Sequence, residues 1–446
     1  MTAAANRGHL LRLLGPVFGI AVGMGEMIGS GILRSPSVIA ASLHDTGAIL
    51  ILWSLGGLHA LLGVNIIAEL GTALPQAGGV YVYARRAYGD VGGLVVGWTI
   101  FTSHLAGIAA AAVVFADFLG LLWPPAAGHR AVVAIGIQFV LYAANSLGLR
   151  EGRAMQEVTS LAKALLLLVF VAAAFWLANK TAPIASPAPV AAGGFLAFIG
   201  ASQLIKGAYS GWDAAAYFAE ENVAPSRSIP RALLFGLALT ATIYVLVNAA
   251  LLLALGPAGT ASSGLPFATV LDRVAGHWAS IIFVLGAMVT VTSCANANIM
   301  VAPRVLLALS RDRLLPGALQ DVNAGGSPYF GFALTAAISI ALASTGAFRL
   351  VFGLIGILTS LAGLLVDIAF FVLRRREPKL PRPFRAILSP WLPALLVVVD
   401  GALLVLFAAT DHTGAIVAAA LCLLCVPLGL VAQRARGLPA SDAGAT

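Results

Sequence analysis

The sequence has few charged residues and few cysteines. Asp, Glu, Lys and Arg make up 10% of its 446 residues, whereas 60% are hydrophobic and the mean hydropathy is +0.96. A soluble protein of this length needs more polar surface, so the composition predicts an all-α polytopic membrane protein. Of the three cysteines, Cys422 and Cys425 lie in an apolar segment without a nearby histidine, and we interpret them as packing residues. We therefore expect no metal and no other cofactor.

The net charge is +8, and the distribution of the basic residues along the chain indicates a membrane topology rather than a nucleic-acid-binding surface. With the N-terminus inside, four of the 26 lysines and arginines lie outside and four lie within spans, which leaves 18 on the cytoplasmic side. We expect a multi-pass protein of the cell membrane with both termini in the cytoplasm. The densest basic cluster, between Arg374 and Arg385, is interpreted as a cytoplasmic anchor, with an anionic-lipid site as the alternative.

Hydrophobic runs long enough to cross a bilayer recur along the whole chain. No cleavable signal peptide is expected, because the first run continues past any plausible cleavage site. We predict about twelve transmembrane helices, near residues 16–41, 47–73, 91–122, 131–148, 157–178, 194–219, 231–256, 278–309, 328–345, 350–373, 388–408 and 413–432.

Two of these spans contain glycine-rich interruptions, at residues 25–32 and 207–211. Glycine weakens a helix, and lipid supplies no water to a freed backbone group, so such a break must be buried in protein or line a cavity. Matched breaks in two halves of a chain point to a binding site between inverted repeats. The alternative is that the glycines only allow close helix packing.

The positions of the breaks suggest how the chain is divided. We predict a first inverted repeat at residues 1–178, a linker rich in Pro and Ala at 179–193, a second repeat at 194–373, and two further spans with a tail at 374–446. Segment 74–90 is amphipathic and too short to span, so it lies at the cytoplasmic interface or re-enters the membrane.

Several motifs follow one another in a fixed order: Gly29-Ser30-Gly31-Ile32 with Ser35-Pro36, the segment from Pro75 to Gly89, Ala208 to Asp213 with Glu220 to Ala232, Asn296 to Pro316, and Arg375 to Pro383. In these motifs and their spacing the chain resembles the amino acid-polyamine-organocation transporters, and within them the L-type amino acid transporter branch. The resemblance implies a LeuT-like fold of two inverted five-helix repeats with broken helices 1 and 6. It also implies transport of an amino acid or related amine by alternating access, and no enzymatic activity.

The first break has the chemistry of an anion site. The amides of Ser30, Gly31 and Ile32 begin a half-helix, where unpaired N–H groups and the helix dipole attract a carboxylate. The resemblance implies that the substrate ammonium binds the carbonyls of Met27, Gly207 and Ser210. Two aromatic residues near the second break, Tyr209 and Trp212, either close over the substrate or only pack.

Lys163 is an ionisable residue within the fifth predicted span, where a charge is costly and indicates function. The resemblance implies that its ammonium bonds the unwound first helix and Ser293, in place of a sodium ion. Transport would then need no sodium. The alternative is a lysine that snorkels to the inner interface.

Two charged residues depart from the L-type pattern. Glu26 stands one turn before the first break, and Lys206 precedes Gly207, at a position where relatives often carry an aromatic gate. Three interpretations are open: the two residues pair across the breaks, they contact substrate side chains, or a neutral Glu26 carries a proton. Asp213 is a second candidate proton carrier, with helix capping or packing as its alternative.

Other polar residues give weaker signals. His104 either borders the cavity or is a structural residue, and Asn296 is a further candidate pocket residue. Glu220 and Glu221, with Arg227, form either a charged cytoplasmic gate or a solvated helix end.

The function predicted from the sequence is therefore sodium-independent, proton-coupled transport of an amino acid or amine. The alternatives are exchange without proton coupling and a transport-inactive sensor, which would be expected to carry a soluble output domain. The outer loop at 123–129 contains no cysteine, so we expect no disulfide-linked heavy chain.

Overall fold

The computed structural model describes residues 15–146, 149–178, 194–321, 329–346, 348–427 and 429. Their regular structure is helical, which confirms the predicted all-α class. In chain order the α-helices are α1 Pro16–Met27, α2 Ser30–Leu43, α3 Thr46–Ala73, α4 Val80–Leu122, α5 Arg130–Ser146, α6 Leu149–Ala178, α7 Phe195–Ala208, α8 Ala214–Tyr217, α9 Pro225–Ser262, α10 Pro266–Ala275, α11 His277–Arg311, α12 Tyr329–Ala343, α13 Phe348–Arg376, α14 Trp391–Thr410 and α15 His412–Leu423.

Nine segments of the described chain are long and apolar enough to cross a membrane, if α1 and α2 are taken together as one span. Three further apolar helices are shorter: Phe195–Ala208, Tyr329–Ala343 and His412–Pro427. These segments confirm a polytopic membrane protein. The count of twelve spans and the division into two repeats stay predictions, and the predicted linker at 179–193 lies outside the described residues.

Helix α4 begins earlier than the predicted span and includes most of segment 74–90. Gly89, with φ of 79°, interrupts the helix and separates its first two turns from the long membrane portion. Tyr81 and Tyr83 in those first turns are fully buried. This segment is therefore packed within the protein, and its apolar face covers other helices.

The two interrupted helices lie inside the bundle. Helix α1 contacts α6, α9 and α11, while α2 contacts α7 and α9. Around them, α4 runs against α11 and α13, and α9 runs against α3. Because both breaks are surrounded by helices, their freed backbone groups face protein rather than lipid, as membrane burial requires.

Candidate functional site

The first break lies between Met27, the last residue of α1, and Ser30, the first residue of α2. Gly29 has no side chain because α11 approaches closely: a Cβ at this position would overlap the Cys294 side chain. The Cys294 thiol donates to the Glu26 carbonyl at 3.0 Å, which fixes the unwound segment against α11. Gly29, at the N-cap position, supplies no side-chain cap to α2, and the Ser30 amide donates to the Cys294 sulfur. The break therefore begins a half-helix whose N-cap residue offers no acceptor, as the anion-site prediction requires.

The second break separates Ala208 at the end of α7 from Ala214 at the start of α8. Gly211, within this break, has φ of 96°, a left-handed conformation that favours glycine. A Cβ there would also overlap the side chain of Glu26. Gly211 is thus needed for two reasons, and the second one shows that the two breaks are in direct contact.

Tyr244 of α9 links the ends of the two broken helices. Its hydroxyl lies 2.5 Å from the Met27 carbonyl and 3.1 Å from the Ala208 carbonyl. A hydroxyl has one proton, so it donates to one carbonyl at a time. Tyr209 packs beside it, and the Tyr209 hydroxyl donates to the Trp53 carbonyl at 3.1 Å. Tyr244 belongs to no motif in the sequence, and so no sequence signal indicated it.

A cavity of about 30 Å³ lies between the breaks, with room for one or two water molecules. Five of the eight predicted substrate residues line it: Met27, Ser30, Gly31, Gly207 and Ser210. Tyr209 and Trp212 line a larger neighbouring cavity instead, and Ile32 is buried in the core and lines neither. In this conformation the site is closed around a space too small for an amino acid.

An aromatic residue from another helix covers the glycines of this small cavity. A Cβ at Gly31 would lie 3.0 Å from Cζ of Phe352, and one at Gly207 would lie 3.1 Å from its Cε1. Phe348 stacks on Phe352 at 5.1 Å, at the start of α13. Phe352 therefore occupies the space beside Gly31 and Gly207, although the aromatic residue that relatives often carry before Gly207 is replaced here by Lys206.

Glu26 is paired with His104 of α4 through a 2.7 Å contact to Nδ1. The same nitrogen lies 3.1 Å from Oδ1 of Asn298. Glu26 Oε2 and His104 Nε2 are buried and have no hydrogen-bond partner among the described residues. Asp213 makes no capping hydrogen bond, so the capping alternative is wrong, and it accepts from the Tyr217 hydroxyl at 3.1 Å.

The predicted pairing of Glu26 with Lys206 is wrong, because each residue has a different partner. Lys206 forms an ion pair with Asp400 of α14. His59 of α3 contacts the same Asp400 oxygen at 3.0 Å, and Asp367 of α13 lies within hydrogen-bonding reach of Asp400. These partners were not among the candidate residues, although the rarity of ionisable residues in membrane spans would have indicated them.

These four residues line a cavity of about 420 Å³ between α3, α7, α13 and α14. Most of its remaining lining is apolar, with Asp213 and Trp212 on one side. Ser103, His104 and Ser210 line both this cavity and the small one. The two spaces are therefore adjacent, and His104 borders both of them, as one of its two interpretations predicted.

Lys163 has the two contacts that the sequence resemblance implied. Its ammonium donates to the Gly25 carbonyl at 2.6 Å, just before the first break, and to the Ser293 hydroxyl at 3.2 Å. Thr159 also contacts that hydroxyl at 2.7 Å. Because Lys163 is 1% exposed and points into the bundle, the snorkelling alternative is wrong.

Asn296, a candidate pocket residue, lies between helices and not at either of the two cavities. Its side chain is fully buried and lines neither cavity. It accepts from Asn145 at 2.6 Å and donates to Gln156 at 3.3 Å. The network joins α5, α6 and α11, and its role is to satisfy polar groups between helices.

On the predicted cytoplasmic side, Glu221 is fully buried and pairs with Arg304 at 2.8 Å. Glu220 pairs with Arg311 at 3.0 Å. Arg227, which was grouped with these glutamates in the sequence, is the partner in neither ion pair. A solvated helix end is also excluded for Glu221, because a buried carboxylate needs the compensation that Arg304 supplies.

The basic cluster that follows α13 has a structural role as well. Glu69 of α3 is fully buried. It accepts hydrogen bonds from Nε and Nη2 of Arg374, at 2.9 and 2.6 Å, and forms an ion pair with Arg382 at 3.0 Å. The Ala386 amide donates to it at 2.7 Å. These contacts hold the segment after α13 against α3. Arg374 and Arg382 of the basic cluster therefore have protein partners and do not require an anionic lipid.

Two interrupted helices in contact, enclosing a cavity inside an all-α bundle, define the architecture of a secondary transporter. The chain belongs to the amino acid permease family, whose model matches residues 15–428. Proteins of this family are transporters and not enzymes.

Characterised relatives cover most of the chain. It is 26% identical to the serine/threonine exchanger SteT of Bacillus subtilis (strain 168), over 87% of this chain and 89% of the relative. It is 26% identical to the branched-chain amino acid permease BcaP of the same organism, over 89% and 88% of the two chains. It is 25% identical to the large neutral amino acids transporter small subunit 2 of Homo sapiens, over 84% and 72%.

Proposed function

We propose that this permease carries an amino acid or a closely related amine across the cell membrane by alternating access, driven by protons and not by sodium. Both termini lie in the cytoplasm in this proposal, and no disulfide-linked heavy chain is needed. The second candidate is exchange without proton coupling, which the similarity to a serine/threonine exchanger favours.

The small cavity supports a zwitterionic head group between the breaks. The substrate carboxylate binds the amides at the start of α2, where Ser30 and Gly31 line the cavity. The ammonium binds near the carbonyls of Met27, Gly207 and Ser210. Because Tyr244 satisfies the Met27 carbonyl in the closed conformation, substrate entry requires this hydrogen bond to shift to Ala208.

Two features support a closed state on both sides of the head group. Phe352 covers Gly31 and Gly207 and serves as the lid. Arg304 and Glu221 join α11 to the segment after α8 and serve as the cytoplasmic closure. Opening on either side has to separate these contacts, which is the change that alternating access requires.

The observation that carries sodium independence is the position of Lys163. Its tethered ammonium binds Gly25 O and Ser293 Oγ, a carbonyl and a hydroxyl of the type that would otherwise coordinate a cation. A fixed positive charge at this position both neutralises the freed carbonyl end of α1 and repels a second cation.

The test is uptake into proteoliposomes, first with a mixture of labelled amino acids and then with the one that is taken up. Uptake should be unchanged when sodium is replaced by potassium or choline. Lys163→Ala should lower it by about tenfold or more, since removing one partner of a buried contact costs at least about 1.4 kcal/mol. Lys379→Ala, on the segment after α13, is the matched control and should transport normally. Strict dependence on sodium would overturn the proposal.

A further inference from the structure

The ion cluster in the large cavity contains more carboxylates than cations. Asp400 pairs with Lys206, and Asp367 contacts Asp400 but makes no ion pair in the described part of the chain. Asp367 is 6% exposed and Asp400 is 3% exposed. Two carboxylates in contact, away from water, repel each other too strongly for both to be ionised beside a single lysine.

Among the residues that line the large cavity, Lys206 is the only lysine or arginine. His59 of α3 faces Asp400, and Tyr88 of α4 faces Asp367. Lys206 comes from α7. Asp411, at the start of α15, bonds instead to Gln203 at 3.1 Å. His59 satisfies Asp400 as a neutral donor, so it needs no charge of its own to make this contact.

One oxygen of the pair is available to a proton. Asp367 lines the large cavity, and its Oδ2 atom is buried and has no hydrogen-bond partner among the described residues. An ionised oxygen in this position would be an uncompensated buried charge. A protonated one is neutral, and the Asp367 hydroxyl can donate to Asp400, as in pairs of acids that share one proton.

We propose that Asp367 and Asp400 share one proton and form the proton-binding site of this transporter, with Lys206 as the sensor that transmits its occupancy to the second break. This inference rests on the proposed function. With the proton bound, Lys206 and Asp400 balance each other and the cluster is neutral. When the proton leaves through the cavity, the cluster carries one net negative charge, which draws Lys206 deeper between the two carboxylates.

Lys206 is placed to pass this change to the substrate site. It lies in the last turn of α7, directly before Gly207, which lines the small cavity. A movement of Lys206 toward Asp367 therefore displaces the end of α7, and with it Gly207 and Ala208. Proton occupancy and the geometry of the ammonium site are linked through a single helix end.

The experiment measures protonation directly, by infrared spectroscopy of the purified protein in detergent during a pH titration. The unmodified protein should show a protonated-carboxyl band at neutral pH, and Asp367→Asn should lose it. Glu26→Gln and the control Asp117→Asn, which alters the carboxylate that contacts Arg130 at 3.4 Å near the end of α4, should keep it. Lys206→Gln should move the titration of the band to higher pH, because the proton is held more tightly without the nearby cation.

Transport measurements then separate this inference from the proposed function. A pH difference of one unit supports up to about tenfold accumulation per coupled proton. Asp367→Asn should reduce this accumulation to equilibration, while counterflow of labelled substrate persists, since asparagine resembles the protonated form. If the band disappears but the unmodified protein shows no counterflow, the proposed function fails and the proton site stands. If the band or the accumulation survives in Asp367→Asn, the proton site is wrong.

Discussion

Two buried carboxylates in this protein have opposite surroundings. Glu69, where α3 meets the segment after α13, accepts hydrogen bonds from Arg374 and a backbone amide and forms an ion pair with Arg382. Asp367, in the large cavity, has one oxygen without a donor in the described structure. Both side chains are almost fully buried, so exposure does not distinguish them.

The difference shows how a buried acid is assigned a role. An acid whose oxygens are all satisfied by cations and amides stays ionised, and its function is to hold segments together. An acid with an unsatisfied oxygen beside another carboxylate is stable only when protonated, so its charge depends on its surroundings. Glu26 lies between these two cases, because one of its oxygens contacts His104 and the other, Oε2, has no partner among the described residues.

The largest effect is expected from Glu69→Gln. This change leaves Arg374 and Arg382 without their buried counter-ion and should destabilise the fold by about 3 kcal/mol. The measurement is thermal unfolding of the purified protein, monitored as the fraction of protein that remains monodisperse after heating.

Glu377→Gln is the matched control for this prediction. Glu377 lies at the same end of α13, and a hydrogen bond from Arg86 lowers its pKa, but the Arg86 side chain is 57% exposed. Its contribution is present above the pKa of the unfolded chain and is lost as pH falls, and solvent screens it strongly. If Glu69→Gln and Glu377→Gln lost the same stability, the buried contacts of Glu69 would contribute no more than an exposed ion pair, which would contradict the prediction.

An intermediate effect is expected from Arg304→Gln, which breaks the buried pair with Glu221. Opening toward the cytoplasm should become easier, and Cys294, which lines the small cavity, should react with a thiol reagent about tenfold faster or more. The reaction is followed in a background where Cys422 and Cys425 are serine.

Arg86→Gln breaks an exposed pair in the same background and serves as the control. Its rate of Cys294 labelling should match that of the parent protein. Unchanged labelling in Arg304→Gln would show that the pair with Glu221 holds the fold together, like the contacts of Glu69, and does not close the site.

The smallest effect is expected from Tyr244→Phe. It removes one hydroxyl that alternates between the Met27 and Ala208 carbonyls and should lower stability by about 1 kcal/mol. Substrate affinity should also change, because the ammonium site loses its competitor for these carbonyls. Tyr209→Phe, which loses a bond to the Trp53 carbonyl outside the small cavity, should lower stability similarly without changing affinity. If Tyr244→Phe and Tyr209→Phe had the same substrate affinity, the Tyr244 hydroxyl would not compete with the substrate ammonium for these carbonyls.

The parts of the site that sequence analysis predicted are those with local signals. Glycine at positions 29, 31, 207 and 211 marks the breaks, because a side chain at these positions would be crowded by a neighbouring segment. Lys163 was found because a lysine within a span is rare and a family motif supplied its partner.

The partners of Glu26 and Lys206 could not be predicted in the same way. Lys206 and Asp400 are 194 residues apart, and neither side of the pair belongs to a motif. An unpaired charge in a span predicts that a partner exists but does not name it. Pairing with the nearest charge of opposite sign at the breaks was one of three open interpretations, and it is wrong.

Composition and glycine spacing alone determined that this is an all-α membrane protein with two interrupted helices, since both depend on the cost of exposing polar backbone to lipid. Tertiary structure decided which acids are satisfied and which are not. Glu69, Glu26, Asp367 and Asp400 are all single acidic residues in apolar or amphipathic surroundings. Their different roles arise from which helices meet around them, because the stability of a buried charge is set by the groups within a few ångströms and not by its neighbours in sequence.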